Sequence, residues 1–172
     1  MPDTDFFASV LADAIAQLRA KAMPVYTFAF YHDHESGAVS VCAETETNSA
    51  LQVRATNRYN AKYFRSAVAG GDLAGASLWQ ANCGRNLSLG DFSQVNLARA
   101  EFGESEVDGK FYLLMVRALM AVEGEVVALA ADPRRLLFAC SGPDDEVAYV
   151  WSLAQDAEPL SRPADLNQNE NP

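Results

Sequence analysis

The sequence predicts an α+β fold: a single domain with a mainly antiparallel sheet of three to five strands and helices packed on it. Three observations carry this. Helical and strand periodicities alternate along the chain in the order α, β, β, α, irregular, α, β, α. The first two strands are joined by a short glycine-ended loop, which makes them an antiparallel hairpin. A length of 172 residues with 49% hydrophobic and 21% charged side chains suits one domain able to bury a core.

The elements follow in order. In residues 4–21, Phe7, Leu11, Ala14 and Leu18 recur at helical spacing with Val10 beside them. Asp3 or Thr4 caps the start, Asp5 suits the positive end of the helix dipole, and Pro24 stops the helix from running on. The stretch VYTFAFYH, 25–32, is uncharged and rich in aromatic and β-branched residues, which predicts a strand covered on both faces. AVSVCAETE, 38–46, is the second strand, and Gly37 supplies the positive φ that the intervening DHESG loop needs. Thr47 or Asn48 caps a helix over 49–69 whose apolar stripe is Ala55, Tyr59, Tyr63 and Ala67. Glycines make 69–77 a loop, and 78–108 is irregular, with room for one short strand or a helical turn.

From Lys110 to Glu123 the helical pattern returns through Phe111, Met115, Ala118, Leu119 and Val122, and EVVALAA extends it by a turn or a further helix. RLLFACSG, 135–142, is a third strand, ended by Gly142-Pro143. A last helix is expected over 144–156, with Val147, Val150, Trp151 and Ala154 facing inward. The globular domain thus spans 1–156, and the proline-rich tail 157–172 is expected to be disordered.

The formal net charge is −10, and it is uneven. Residues 1–47 carry seven acids and two bases, residues 48–99 two acids and six bases, and residues 100–172 fourteen acids and five bases. An acidic chain repels nucleic acid and anionic membrane on average. No apolar run is long enough to span a membrane. The start, MPDTDFFASV, lacks the basic region of a secretory signal, and three scattered cysteines without a CxxC pair argue for a reducing cytoplasm.

Chemistry-bearing groups are few. His32 and His34 share one face of an extended strand about 7 Å apart, so both reach a common metal ion in principle. A third ligand such as Glu44, on the facing strand, is then needed. The plainer reading is a solvated hairpin tip. Cys83, in ANCGRN, has only these histidines as partners for a nucleophilic dyad. No serine lies in GxSxG, and the glycines of AVAGGDLAGAS match no phosphate-binding loop. No catalytic residue and no cofactor is therefore assigned. The alternative, a small metal-dependent or cysteine hydrolase, rests on His32 and His34.

Surface charge is more informative. Arg54, Arg58, Lys62 and Arg65 recur every three or four residues and make one basic ridge, with Tyr59, Tyr63 and Phe64 alongside. The ridge is a solvated face, is neutralised by acids elsewhere, or docks a partner. Two acidic clusters, EFGESEVDG at 101–109 and PDDE at 143–146, offer a surface for a basic protein, and Asp144, Asp145 and Glu146 are its candidate contacts.

The segment YTFAFYHDHESGAVSVCAETETNSAL, the mid-chain Trp79, and FYLLMVRALMAVEGEV followed by LLFACSGPDDE together resemble a bacterial family of domains of unknown function, family 4303, over roughly residues 4–156. The resemblance implies no established catalytic residues. It implies a small cytoplasmic protein encoded near toxin systems, in an immunity (toxin-neutralising) role. On these grounds the chain is expected to be a non-enzymatic, cytoplasmic protein-binding domain whose partner is a protein such as a basic toxin, with nucleic acid and membrane disfavoured.

Overall fold

The computed structural model describes residues 2–103 and 107–153. The tail 157–172, positions 154–156 of the expected last helix, and Glu104 to Glu106 of the first acidic cluster lie outside these residues.

Asp3 begins helix α1, Thr4–Ala20, by accepting from the Phe6 amide at 2.9 Å. Strands β1, Thr27–Asp33, and β2, Ala38–Glu44, pair antiparallel with Phe30 opposite Val41 and His32 opposite Val39. Helix α2, Glu46–Ala69, follows β2 directly. Its cap is Thr45, two residues earlier than the sequence suggested, because Thr45 Oγ1 is free to accept from the Asn48 amide while Glu44 ends the strand. A short α3, Leu73–Ala76, and a single 3₁₀ turn at Ser77–Trp79 fold back on α2.

The irregular stretch contains a full strand, β3, Gln94–Glu101. It adds to the free edge of β2 through a register shift between Val41 and Ala43. Asn96 takes φ +52° near this irregularity, and its amide oxygen accepts from Tyr31 Oη at 2.6 Å and Ser40 Oγ at 2.9 Å. Asparagine is one of the few residues that tolerates that conformation. Helices α4, Gly109–Ala121, and α5, Glu123–Val127, precede β4, Leu137–Cys140, which runs parallel to β1.

The expected helix over 144–156 is not formed across its described part. Tyr149–Trp151 is instead strand β5, antiparallel to β4, with Phe138 opposite Trp151. Tyr-Val-Trp suits a strand, and the open edge of β4 offers hydrogen bonds that a helix there would leave unmade. Gly142 allows the tight return, since a Cβ there would stand 2.5 Å from the Ala148 Cβ.

The fold is α+β: one mixed, mostly antiparallel sheet in the order β3-β2-β1-β4-β5, with helices on it. One sheet face is covered by α1 and α4. Phe7 stands at the centre, edge-to-face with Phe30 and Phe111 at 5.8 and 5.4 Å between centroids. The opposite face, with Ala29, Tyr31, Cys42 and Ala139, is covered not by an α-helix but by Leu89 of a single 3₁₀ turn, by Phe92 just after it and by Val147.

Helix α2 departs from expectation. It has 24 residues, and Ser49 is its one buried residue. The stripe Ala55, Tyr59, Tyr63, Ala67 therefore does not meet the core. Tyr63 stacks on Trp79 at 4.9 Å, with Tyr59 against both, so the aromatic residues serve a local seam between α2 and its own returning chain. Among the described residues, no helix is long and apolar enough to cross a membrane.

Candidate functional site

The α2 arm is rooted by a buried carboxylate. Glu44, the last residue of β2, is fully buried. Its Oε1 accepts from the amides of Thr45 and Ser93 at 2.9 and 3.1 Å and from Ser93 Oγ at 2.6 Å. Asn48 Nδ2 donates to both carboxylate oxygens at 3.1 Å, and Asn86 Nδ2 donates to Oε2 at 3.4 Å. These donors satisfy the buried charge, as such a group requires. They also bind together the end of β2, the first turn of α2 and the segment before β3.

Further out, Asn57 and the backbone of Asn82 exchange two hydrogen bonds at 2.9 and 2.7 Å, and Asn60 donates to the Gln80 carbonyl at 2.7 Å. One side of α2 is thus tied to residues 76–86. The other side carries the basic ridge. Arg54, Arg58, Lys62 and Arg65 are all exposed, and among the described residues none of them forms an ion pair. Lys62 Nζ lies 5.5 Å from the Tyr63 ring centroid. The ridge is a solvent-facing row of cations, spanning about 16 Å from Arg54 to Arg65. Leu51 and Tyr59, each 54% exposed, flank it, and Leu73 and Leu78 stand more than three-quarters exposed at the fold-back.

The second candidate surface lies at the opposite end of the sheet. Asp144, Asp145 and Glu146 are exposed in the β4–β5 loop. The loop backbone is fixed, with Gly142 N donating to the Asp145 carbonyl at 2.9 Å and Ser141 Oγ to the Glu146 carbonyl at 2.9 Å. Tyr149 and Val150, each 45% exposed, continue this surface along the edge strand β5. Asp33 lies at the same end, paired with Arg99 at 2.7 Å. Hydrogen bonds from Ser36 and Arg99 bring its carboxyl down to about 2.

His32 and His34 do not share a solvated tip. His32 is buried among Phe102, Phe111 and Tyr112, its Nδ1 hydrogen-bonded to Tyr112 Oη, while the exposed His34 ring lies tilted against it, 4.2 Å between centroids. Burial first, and the neighbouring His34 second, bring the His32 pKa down to about 4, against a smaller opposing pull from Asp33. A cavity of about 360 Å³ opens beside the two rings.

Glu44 is not near them: its strand partner is Thr27, five residues from His32 and so roughly 16 Å along β1. Among the described residues, no group of three His, Cys, Asp or Glu side chains has the geometry of a metal site. Cys83 is exposed beside Gly84 and Arg85, which contact Tyr26 at the Thr27 end of β1, so it is not brought to either histidine. Cys42 and Cys140 are buried thiols, and burial pushes them up to about 11 and 12.

Comparison with family models, curated proteins and solved structures gives no match. The site therefore stands on its own geometry.

Proposed function

We propose that this chain is a protein-binding domain that engages an acidic protein surface through the α2 arm. One observation carries the reading: a 24-residue helix buries a single residue and turns a row of four cations, without ion-pair partners among the described residues and flanked by exposed apolar side chains, away from its own core. Single exposed hydrophobic residues are ordinary on a surface. Six of the eleven large ones among the described residues fall within residues 46–79, which makes a patch. The arm is also held rigidly at Glu44 and along Asn57 and Asn60, so little ordering entropy is lost on docking. A body of net charge −10 favours a protein partner with a local acidic face over a polyanion whose whole length would meet that charge.

The expectation of a cytoplasmic immunity protein facing a basic toxin belongs instead to a second reading. Three free thiols, one of them exposed, fit a reducing compartment. That second reading rests on the other end of the sheet. There Asp144, Asp145 and Glu146 adjoin exposed Tyr149 and Val150, which suits a basic partner such as a nuclease toxin.

The test is photo-crosslinking in the native cell from a reporter at position 51, followed by binding measurements on the purified adduct protein. Arm docking predicts an acidic partner whose affinity falls at least about tenfold with Arg58→Glu/Lys62→Glu/Arg65→Glu and weakens with salt. An affinity that instead falls only with Asp144→Lys/Asp145→Lys supports the second reading, and one indifferent to both sets removes both.

A further inference from the structure

We propose that the cavity at the root of α2 is an oxyanion-binding site that takes a phosphate or carboxylate group between Arg54, Arg85 and Arg135. The cavity has a volume of about 270 Å³ and lies between the first turns of α2, the Gly84–Arg85 segment and Tyr26. That space suits a small anionic group rather than an extended cofactor.

Its walls carry three guanidinium groups against one carboxylate, Glu46. Glu46 is already taken up by Arg135 at 2.6 Å. Arg54 and Arg85 have no ion-pair partner among the described residues.

Arg85 is the distinctive member. It is half-buried, yet everything that fixes it is neutral. It donates to the Tyr26 carbonyl at 2.8 Å, to Thr27 Oγ1 at 3.1 Å and to the Arg135 carbonyl at 2.7 Å, and it lies 3.8 Å over the Tyr26 ring. The Arg135 guanidinium lies near the same ring, at 5.4 Å. The contacts to Arg85 orient its charge without cancelling it. Burial first, and then Arg135, lower the Arg85 pKa, while Tyr26 and Glu46 act in the other direction. A planar or tetrahedral oxyanion supplies the missing counter-charge and accepts the donors of a guanidinium in pairs. The site shares Arg54 with the outward ridge and nothing more of it, since Arg58, Lys62 and Arg65 do not line the cavity.

The anion is either a free small molecule or an acidic side chain of a protein. Titration calorimetry of the full chain at fixed ionic strength separates these, with inorganic phosphate in one arm and acetylated hexaglutamate in the other. We expect saturable one-to-one binding of at least one probe, weakened about tenfold by Arg54→Gln, an exposed substitution that leaves thermal unfolding unchanged. Saturation by phosphate marks a free-anion site; saturation by the peptide alone marks a carboxylate site for a protein ligand. Lys62→Glu/Arg65→Glu, which tests the arm, leaves phosphate binding within about threefold, because these positions lie about 12 and 16 Å along the helix from Arg54, beyond a screening length. Failure of both probes to saturate, or equal binding by wild type and Arg54→Gln, overturns the proposal.

Discussion

His32 Nδ1 lies 3.1 Å from the Tyr112 hydroxyl, a bond that joins the end of β1 to the first turn of α4 inside a ring of aromatic side chains. Its consequence is a pH dependence with a defined sign. The His32 pKa is lowered from 6.5 to about 4, so between these values the unfolded chain binds the proton and the folded one does not. Stability is therefore full above the unfolded pKa and falls as pH drops through the window, by up to about 3 kcal/mol. Asp33, brought down to about 2, adds most of its loss below its ordinary 3.8 and only a small part above pH 4, so it does not obscure the histidine. Urea midpoints of wild type and His32→Phe, measured from neutral pH to pH 4, should diverge in slope, the variant being flatter. Parallel curves would show that His32 is not the titrating group.

Glu44 gives the second prediction. Glu44→Ala leaves the Thr45 and Ser93 amides, Ser93 Oγ and two asparagine side chains without their shared acceptor. The Thr45 amide keeps Ser93 Oγ, and Asn48 and Asn86 keep the Asp91 and Ser88 carbonyls, but the Ser93 amide loses its acceptor. One buried donor left unmet costs about 1–3 kcal/mol, so a net loss in that range is expected. Amide exchange should quicken first at Thr45 to Ser49 and at Ser93. A stability change under 1 kcal/mol would mean that the carboxylate is not the root of the arm.

Gly37 gives the third. It has φ +57°, and a Cβ there would stand 2.7 Å from the Gly103 carbonyl oxygen, a backbone atom. The Gly37 carbonyl also accepts from the Phe102 amide at 2.9 Å, so the hairpin and the end of β3 move together. Gly37→Ala should cost about 1–3 kcal/mol from the left-handed backbone and the contact combined. Thermal unfolding checks this, and Ser36→Ala, one residue earlier in the same loop, is a control expected to shift it less.

How much of this the sequence shows depends on whether local pattern or distant pairing decides. The hairpin strands are legible because both faces of β1 and β2 are buried, which leaves an unbroken apolar run bounded by Gly37. Strand β5 is not legible. Val147, Val150 and Trp151 sit at helical spacing, and only the open edge of β4, fixed by the fold, makes Tyr149–Trp151 a strand. The basic ridge is visible as residues recurring every three or four positions. Its outward orientation is not, because the stripe Ala55, Tyr59, Tyr63, Ala67 has the spacing of a core face and meets only its own returning chain. The Arg54, Arg85 and Arg135 cavity is hidden from any local reading, since its cations are some thirty and fifty residues apart and come together only around the folded cavity. Glu44 looks like an ordinary polar strand end until the donors from Asn86 and Ser93 arrive across the fold.

The arm gives the last prediction, which concerns where stability resides. Tyr63 stacks on Trp79 at 4.9 Å, and Tyr59 lies 5.9 Å from the same indole. These rings hold Leu73–Trp79 against α2 and touch nothing in the core cluster around Phe7. Trp79→Ala removes both ring contacts, each worth about 0.5–1.5 kcal/mol beyond its buried area, so the fold-back should open locally. Global unfolding should barely respond, because the sheet and its two covering helices do not depend on that seam. Phe7→Ala is the counterpart. It empties the space between Phe30 and Phe111 and should cost about 3–5 kcal/mol of global stability while leaving the arm's local protection ahead of unfolding intact. Native-state amide exchange separates the two outcomes residue by residue. If Trp79→Ala lowered the protection of β1 and β2 amides as much as it lowered that of α2, the arm would be part of the cooperative core rather than a rigid appendage built on it.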